Sequence, residues 1–444
     1  MHRFSNYELR KLIIPIFWEQ LLILLVGIAD IFMVSFAGPH AVSGVSLVNM
    51  PVTLLLYIFT AIGSGGAVII SQYIGHNDRA NANHSAGQLL LISILITLVI
   101  SLITIFFNRN IFSALFPKVD SQVTEAGTTY LLIIALSFVS LGIYNSGAAI
   151  CRSINRTDVI LKVSVITNII NLAGNYIGVF IFKAGVAGIA WPSFIARSYS
   201  ALAMTLFCLS SKNFVSYSFK DILQVDSKII RQILTVAIPG AVENGAYQLT
   251  KTILTTIIAT FGTVQIAANG IYQSMCNFAS VTVTVMSFAY ITVIGQCMGA
   301  GDIDEADYYF RKLTKITIIA SIVSNVLVIS LTPLAMNYYP LSNEIKSLVV
   351  KLVFIHCSFS TLTWPLANGL PNGLRAAGDV KFEMITSLFS TLFVRLVLSY
   401  VFGVILGMGI TGVTWAAVCD WLIKGSAFYL RYRQGKWKLM KLIS

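Results

Sequence analysis

Long apolar runs alternate with short polar interruptions from one end of the chain to the other. A hydrocarbon core of about 30 Å is crossed by a helix of about 20 apolar residues. Runs of that length with few charges number twelve, near 11–37, 45–73, 86–107, 126–151, 159–183, 185–210, 229–261, 266–298, 313–337, 347–375, 381–406 and 409–432. In lipid every backbone N–H and C=O needs an internal partner, which leaves helices or a closed barrel, and runs this long select helices. The most polar stretch, SSKNFVSYSFKDILQVDSK, begins at Ser210 and contains neither Gly nor Pro. It predicts a linker at 211–228 carrying a short surface helix, between an N-lobe of six helices (1–210) and a C-lobe of six (229–444).

The two halves repeat one another at an offset of 224 residues. IPIFWE, with Pro15 and Glu19, matches IPGAVE, with Pro239 and Glu243; SQYIGHNDRANA matches GQCMGAGDIDEA; GVAGIAW from Gly185 matches GITGVTW from Gly409. Around Arg152 and Arg375 the offset slips to 223, which a single-residue gap explains. Six spans is an even number, so both copies insert in the same orientation. The pattern therefore predicts an all-α polytopic membrane protein of twelve transmembrane helices in two lobes. A pseudo-two-fold axis along the membrane normal relates the lobes and a cavity lies between them, the plan of parallel-repeat transporters.

Composition agrees, with 56% hydrophobic and 11% charged residues. The net charge of +12 does not indicate nucleic acid as a partner, because Lys and Arg are scattered singly in short loops and form no stripe. Twenty-one of the thirty fall at the termini or beside the loops after even-numbered spans, and five beside the opposite loops. Positively charged loops stay inside, so both termini are expected in the cytoplasm. MHRFSNYELRK leads directly into an apolar run with no small-residue cleavage site behind it, which reads as a first membrane helix. The six cysteines show no CxxC pair, and neither a metal site nor a disulfide framework is expected. His76 and His84 lack partner carboxylates at recognisable spacing, and Gly63, Gly65 and Gly66 follow no strand, so neither an enzyme site nor a phosphate loop is expected. No cofactor is implied.

Comparing the halves isolates the candidate chemistry. Asp30 becomes Leu254, Asn171 becomes Val394, Asn175 becomes Leu398 and Ser193 becomes Ala417. Asn171 and Asn175 are i,i+4 neighbours on one helix face. With Asp30 and the Ser193 hydroxyl they offer oxygen ligands suited to a small hard cation such as Na⁺, while a lone desolvated carboxylate can equally carry H⁺. Glu19 and Glu243 occur in both copies and cannot explain an asymmetric ion site. They either attract a cationic substrate in the cavity or bond to backbone freed by Pro15 and Pro239. Lys251 either pairs with a cavity carboxylate or meets an anionic substrate. Asp420 and Lys424, i,i+4 on the last span, are expected to pair within their helix.

The same segments resemble the multidrug and toxic compound extrusion (MATE) family. The likeness runs through Pro15 and Asp30 with IFMVSFAG, QYIGHNDRANA, the NxxxN of span 5, GVAGIAWPS, the IP start of span 7, GQCMGAGDIDEA and LPNGLRAAGDVKF. The resemblance implies a monomeric secondary transporter in the bacterial plasma (inner) membrane that exports amphiphilic organic cations in exchange for Na⁺ or H⁺. Asp30, Asn171, Asn175 and Ser193 match the family's first-lobe cation site. A branch of the family carries an acidic residue where this chain has Tyr247, and others in span 10, where it has His356, so coupling through second-lobe carboxylates does not carry over. Glu19, Glu243, Lys251 and His356 are expected at the substrate cavity. The alternative is a flippase-type exporter of lipid-linked or anionic amphiphiles.

Overall fold

The structure is a computed structural model describing residues 3–443, and among these no strand occurs. Two compact units emerge, Asn6–Ile238 and a second comprising 239–443 with residues 3–5. The first contains α1 (Asn6–Ser35), α2 (Pro39–Gly75), α3 (Arg79–Phe106), the short α4 (Asn108–Leu115), α5 (Ser121–Leu136), α6 (Phe138–Ser153), α7 (Thr157–Ile181), α8 (Ala187–Leu209) and α9 (Phe219–Leu223). The long α10 (Ser227–Ala259) begins in the first unit and ends in the second. There it is followed by α11 (Thr263–Gly299), α12 (Ile303–Tyr338), α13 (Asn343–Ala377), α14 (Val380–Ile405) and α15 (Gly409–Arg433).

Eight of these helices are individually long and apolar enough to cross a membrane, and α5 with α6, bent by 45° at Ser137, makes a ninth. The other three predicted spans are α8, α10 and α15, helices of span length interrupted by Arg197, by Lys251 and by Asp420 with Lys424. The chain is thus an all-α polytopic membrane protein of twelve spans.

Helix α3 shows how lipid changes the packing rule. Leu95, Leu98, Val99, Leu102 and Phe106 form an exposed stripe, while Ser93, Thr97, Ser101 and Thr104 are buried. Ser101 donates to the Ala135 carbonyl (2.7 Å) and Ser146 to Ser93 (2.7 Å). Apolar side chains face the hydrocarbon, and hydroxyls satisfied by neighbouring helices face inward.

The repeat reaches the turns. Left-handed backbone occurs at Gly38 and Gly262, Asn77 and Gly301, Lys183 and Gly407, and Gly185 and Gly409, each pair at the repeat offset, and at Asn155 and Gly378, where the offset has slipped by one residue. Asp78 and Asp302, paired by the motif after span 2 and span 8, are N-caps. Their carboxylates accept from the Asn81 N–H (3.0 Å) and the Glu305 N–H (2.9 Å). The bond from the Asn81 backbone holds the Asp78 carboxyl below the usual carboxylate range.

The predicted linker does carry a helix, α9, started by a capping box between Ser218 and Asp221. The segment is not a free tether. Gln88 donates to the carbonyls of Asp221 (2.7 Å) and Gln224 (3.0 Å) and accepts from the Asp226 N–H (3.1 Å). A Cβ on Gly87 would lie 2.6 Å from the Asp221 carbonyl oxygen, so glycine at that position allows the approach. The first turns of α10 join the same unit, with Tyr73 donating to Gln232 (3.2 Å) and Ala237 packed onto Gly65. The two compact units divide at Pro239, inside α10.

Candidate ion site and buried charge clusters

Asn171, Gly174, Asn175 and Gly178 recur at i, i+3, i+4 and i+7 on α7 and make one narrow, small-residue face. A Cβ on Gly174 would lie 2.6 Å from Pro192 Cβ, and one on Gly178 would collide with the Gly188 backbone. Without those side chains α8 lies directly on α7, and Asn171 Nδ2 reaches Ser193 Oγ at 3.1 Å. Asn175 Nδ2 donates to Asn171 Oδ1 (3.2 Å) and to Asp30 Oδ1 on α1 (2.8 Å). The four residues singled out in the sequence thus form one continuous network across α1, α7 and α8.

Asn175 is fully buried, and its Oδ1 has no hydrogen-bond partner. The free amide oxygen, the second Asp30 oxygen, Asn171 Oδ1 and Ser193 Oγ are hard donors that fit a small cation, and Asp30 alone can take a proton. The sequence marks Arg197 as a charge inside a span without a charged counterpart in the other copy but does not place it at this site. It lies within electrostatic reach of Asp30 and is anchored to Ser137 Oγ (2.8 Å) at the bend between α5 and α6. Its repeat counterpart is Trp421.

Glu19 is 1% exposed and sits within the first unit, accepting from Tyr144 OH (3.2 Å) and Arg152 Nη2 (3.4 Å). The backbone freed by Pro15 is satisfied otherwise. The Lys11 carbonyl, four residues before the proline, accepts from Thr157 Oγ1 at 2.9 Å. In the second unit Glu243 accepts from Arg375 Nη2 (2.7 Å) and Lys424 Nζ (3.3 Å), and Arg375 also holds Glu383 through Nε (3.0 Å). Arg152 and Arg375 are repeat counterparts, as are Glu19 and Glu243, so one buried Glu–Arg pair is built twice. Glu383 and Lys424 are added only in the second copy, where the first has Ile160 and Ser200.

Asp420 and Lys424 do not pair with each other as their spacing suggested. Lys424 turns to Glu243, while Asp420 accepts from the Ser390 hydroxyl and stands 4.0 Å from Arg395 Nη1. Two buried partners on other helices outcompete an intrahelical contact. His356 is buried against Trp364 and Trp421, with Nδ1 2.7 Å from Tyr272 OH. Lys251 is exposed, forms no salt bridge among the described residues, and lines a cavity with Arg395. Among the described residues no group of three His, Cys, Asp or Glu could hold a metal ion.

A family model, MatE, matches residues 15–177 and again 239–401, two matches separated by the repeat offset. The chain is 27% identical to an "Uncharacterized transporter YisQ" of Bacillus subtilis, covering 98% of this chain and 95% of that one. It is 22% identical to a "Probable multidrug resistance protein NorM" of Thermotoga maritima over 97% of this chain and 93% of the other. Solved structures share the fold. A Pyrococcus furiosus protein described as a "MOP superfamily transporter" with "reverse polarity of binding pocket" superposes with a TM-score of 0.90 at 18% identity, covering 98% and 96% of the two chains. A "MATE in the bent conformation" superposes at 0.89 and 18% identity, over 97% and 96%.

Proposed function

The chain belongs to the MatE family, and from that premise we propose that it is a secondary active antiporter exporting amphiphilic organic cations, drugs and toxins among them, in exchange for Na⁺ or H⁺ bound at Asp30. The observation that carries the proposal is the network of Asp30, Asn175, Asn171 and Ser193, present in one repeat and replaced by apolar residues in the other. Full-length similarity to proteins named for multidrug resistance supports the export reading. The distribution of Lys and Arg supports a multi-pass plasma-membrane protein with both termini in the cytoplasm, and the proposed functional unit is a monomer.

Coupling requires only that the ion bind one conformational state more tightly than the other. Asp30 supplies the negative charge, Asn171, Asn175 and Ser193 supply the neutral oxygens, and Arg197 competes with the incoming cation for the carboxylate. The test is efflux from vesicles of purified protein under separately imposed Na⁺ and H⁺ gradients. Wild type is expected to follow one gradient and Asp30→Asn to lose that dependence. Undiminished gradient-driven efflux in Asp30→Asn would exclude the residue as the coupling site.

A second reading, export of anionic or lipid-linked amphiphiles, is favoured by Lys251, an intramembrane cation without a carboxylate within salt-bridge distance among the described residues. A binding screen of organic cations against polyprenyl phosphates separates the two.

A further inference from the structure

We propose that the second unit contains a binding site for one small monovalent anion, chloride or the carboxylate of an organic anion, between Lys251 and Arg395. The cavity occupies about 40 Å³ and is lined by Lys251, Arg395, Asn269, Gln273, Tyr272 and Thr414. Leu254 and Ala417 also face it, and these stand at the repeat positions of Asp30 and Ser193. The cavity is therefore the second copy of the ion-site position, with its carboxylate replaced by leucine and two cations brought in from α10 and α14.

Three features call for an anion there. Lys251 and Arg395 both line the cavity and no carboxylate lines it; Lys251 has no carboxylate within salt-bridge distance among the described residues. Asp420 stands 4.0 Å from Arg395, beyond hydrogen-bond distance, and already accepts from Ser390. Arg395 Nε is buried with no hydrogen-bond partner, although a guanidinium N–H in a low-dielectric interior ordinarily finds an acceptor. Asn269 Oδ1 is likewise buried and unpartnered, and a half-turn of its amide would present N–H to the cavity instead. A volume of 40 Å³ exceeds the space one water needs but is far below that of an amphiphilic substrate, so the fit is to a single ion or a carboxylate head.

The site is independent of ion coupling at Asp30, and its test needs no gradient. Purified protein is titrated with sodium chloride and with sodium acetate at constant ionic strength, sodium methanesulfonate, which has no carboxylate, making up the balance. Thermal unfolding and tryptophan emission are recorded. Trp364 and Trp421 report because they pack on His356, which contacts Tyr272 at the cavity wall. A saturable rise in the unfolding midpoint is expected, since a ligand that binds only the folded state stabilises it by mass action. Lys251→Gln should weaken that response about tenfold or more, the cost of one charge-assisted hydrogen bond, whereas Lys251→Arg should retain it. Lys251 is exposed, so neither substitution threatens folding. Saturation by chloride alone assigns the free ion; saturation by acetate, or acetate competition against chloride, assigns a carboxylate. A linear, unsaturable response to both salts, or an identical titration in Lys251→Gln, overturns the proposal.

Discussion

Glu19 and Glu243 carry the same charge at the same repeat position, and each is neutralised by the same arginine of its own copy. A buried carboxylate with a guanidinium partner adds little net stability, but removing one member strands the other, at a cost of about 3–5 kcal/mol. Glu19→Gln is therefore expected to lower the thermal midpoint in detergent markedly. The double variant Glu19→Gln, Arg152→Gln should cost less than the sum of the single changes; simple additivity would show that the two do not interact. Asp78 makes a smaller contribution with a defined pH dependence. Its folded carboxyl titrates below the ordinary value of 3.8, so its stabilisation is present above that value and fades as pH falls through the lowered one. Asp78→Asn keeps the cap and loses the charge, and its stability deficit relative to wild type should shrink as the protein is acidified through that range. At this scale the sequence showed which charges lie inside spans and which differ between copies. It did not show partners. Asp420 and Lys424 are a helical turn apart, yet each is claimed by a residue from another helix, and that choice depends on where α10 and α14 lie.

Between elements, the approach of α7 to α8 is set by what is missing. Gly178→Ala places a methyl group against the Gly188 backbone, so the helices must separate and Asn171 loses Ser193. The expected result is loss of ion-driven efflux with helical content by circular dichroism retained. Gly27→Ala, on α1 with nothing within 4 Å of the added methyl, should be silent in both measurements. The proline in α1 makes a second case. Thr157→Val removes the hydroxyl from the Lys11 carbonyl that Pro15 leaves free, and should destabilise by about 1 kcal/mol without touching the ion site. Helix existence was legible from run length, and the NxxxN pair was legible as one face. Gly174 and Gly178, between and just after those asparagines, look ordinary in sequence, because their function is to let another helix come close.

For the molecule as a whole, the uneven distribution of Lys and Arg makes a topological prediction. Single cysteines introduced into a cysteine-free chain between 211 and 217, and in the turn after α2, should react with an impermeant reagent only from the cytoplasmic side. One in the 340–342 segment should react only from outside; the opposite labelling would invert the topology and with it the direction of transport. Duplication also extends further than residue identities show. Every left-handed turn position among the described residues except Gly435 pairs with one in the other copy, even where Lys183 stands opposite Gly407. Backbone geometry has been kept in both copies while side chains diverged.

The sequence by itself determined the solvent, the number of helices, the internal duplication and the place where the copies differ, because each follows from local composition or from comparing the chain with itself. Only the tertiary structure decided that Asp30, Asn175, Asn171 and Ser193 form one network, that Arg197 stands beside it, that the linker is docked on α3, and that Lys251 and Arg395 share a cavity. Those outcomes rest on distances between helices. In lipid those distances are set by small residues and buried hydrogen bonds between helices distant in the chain.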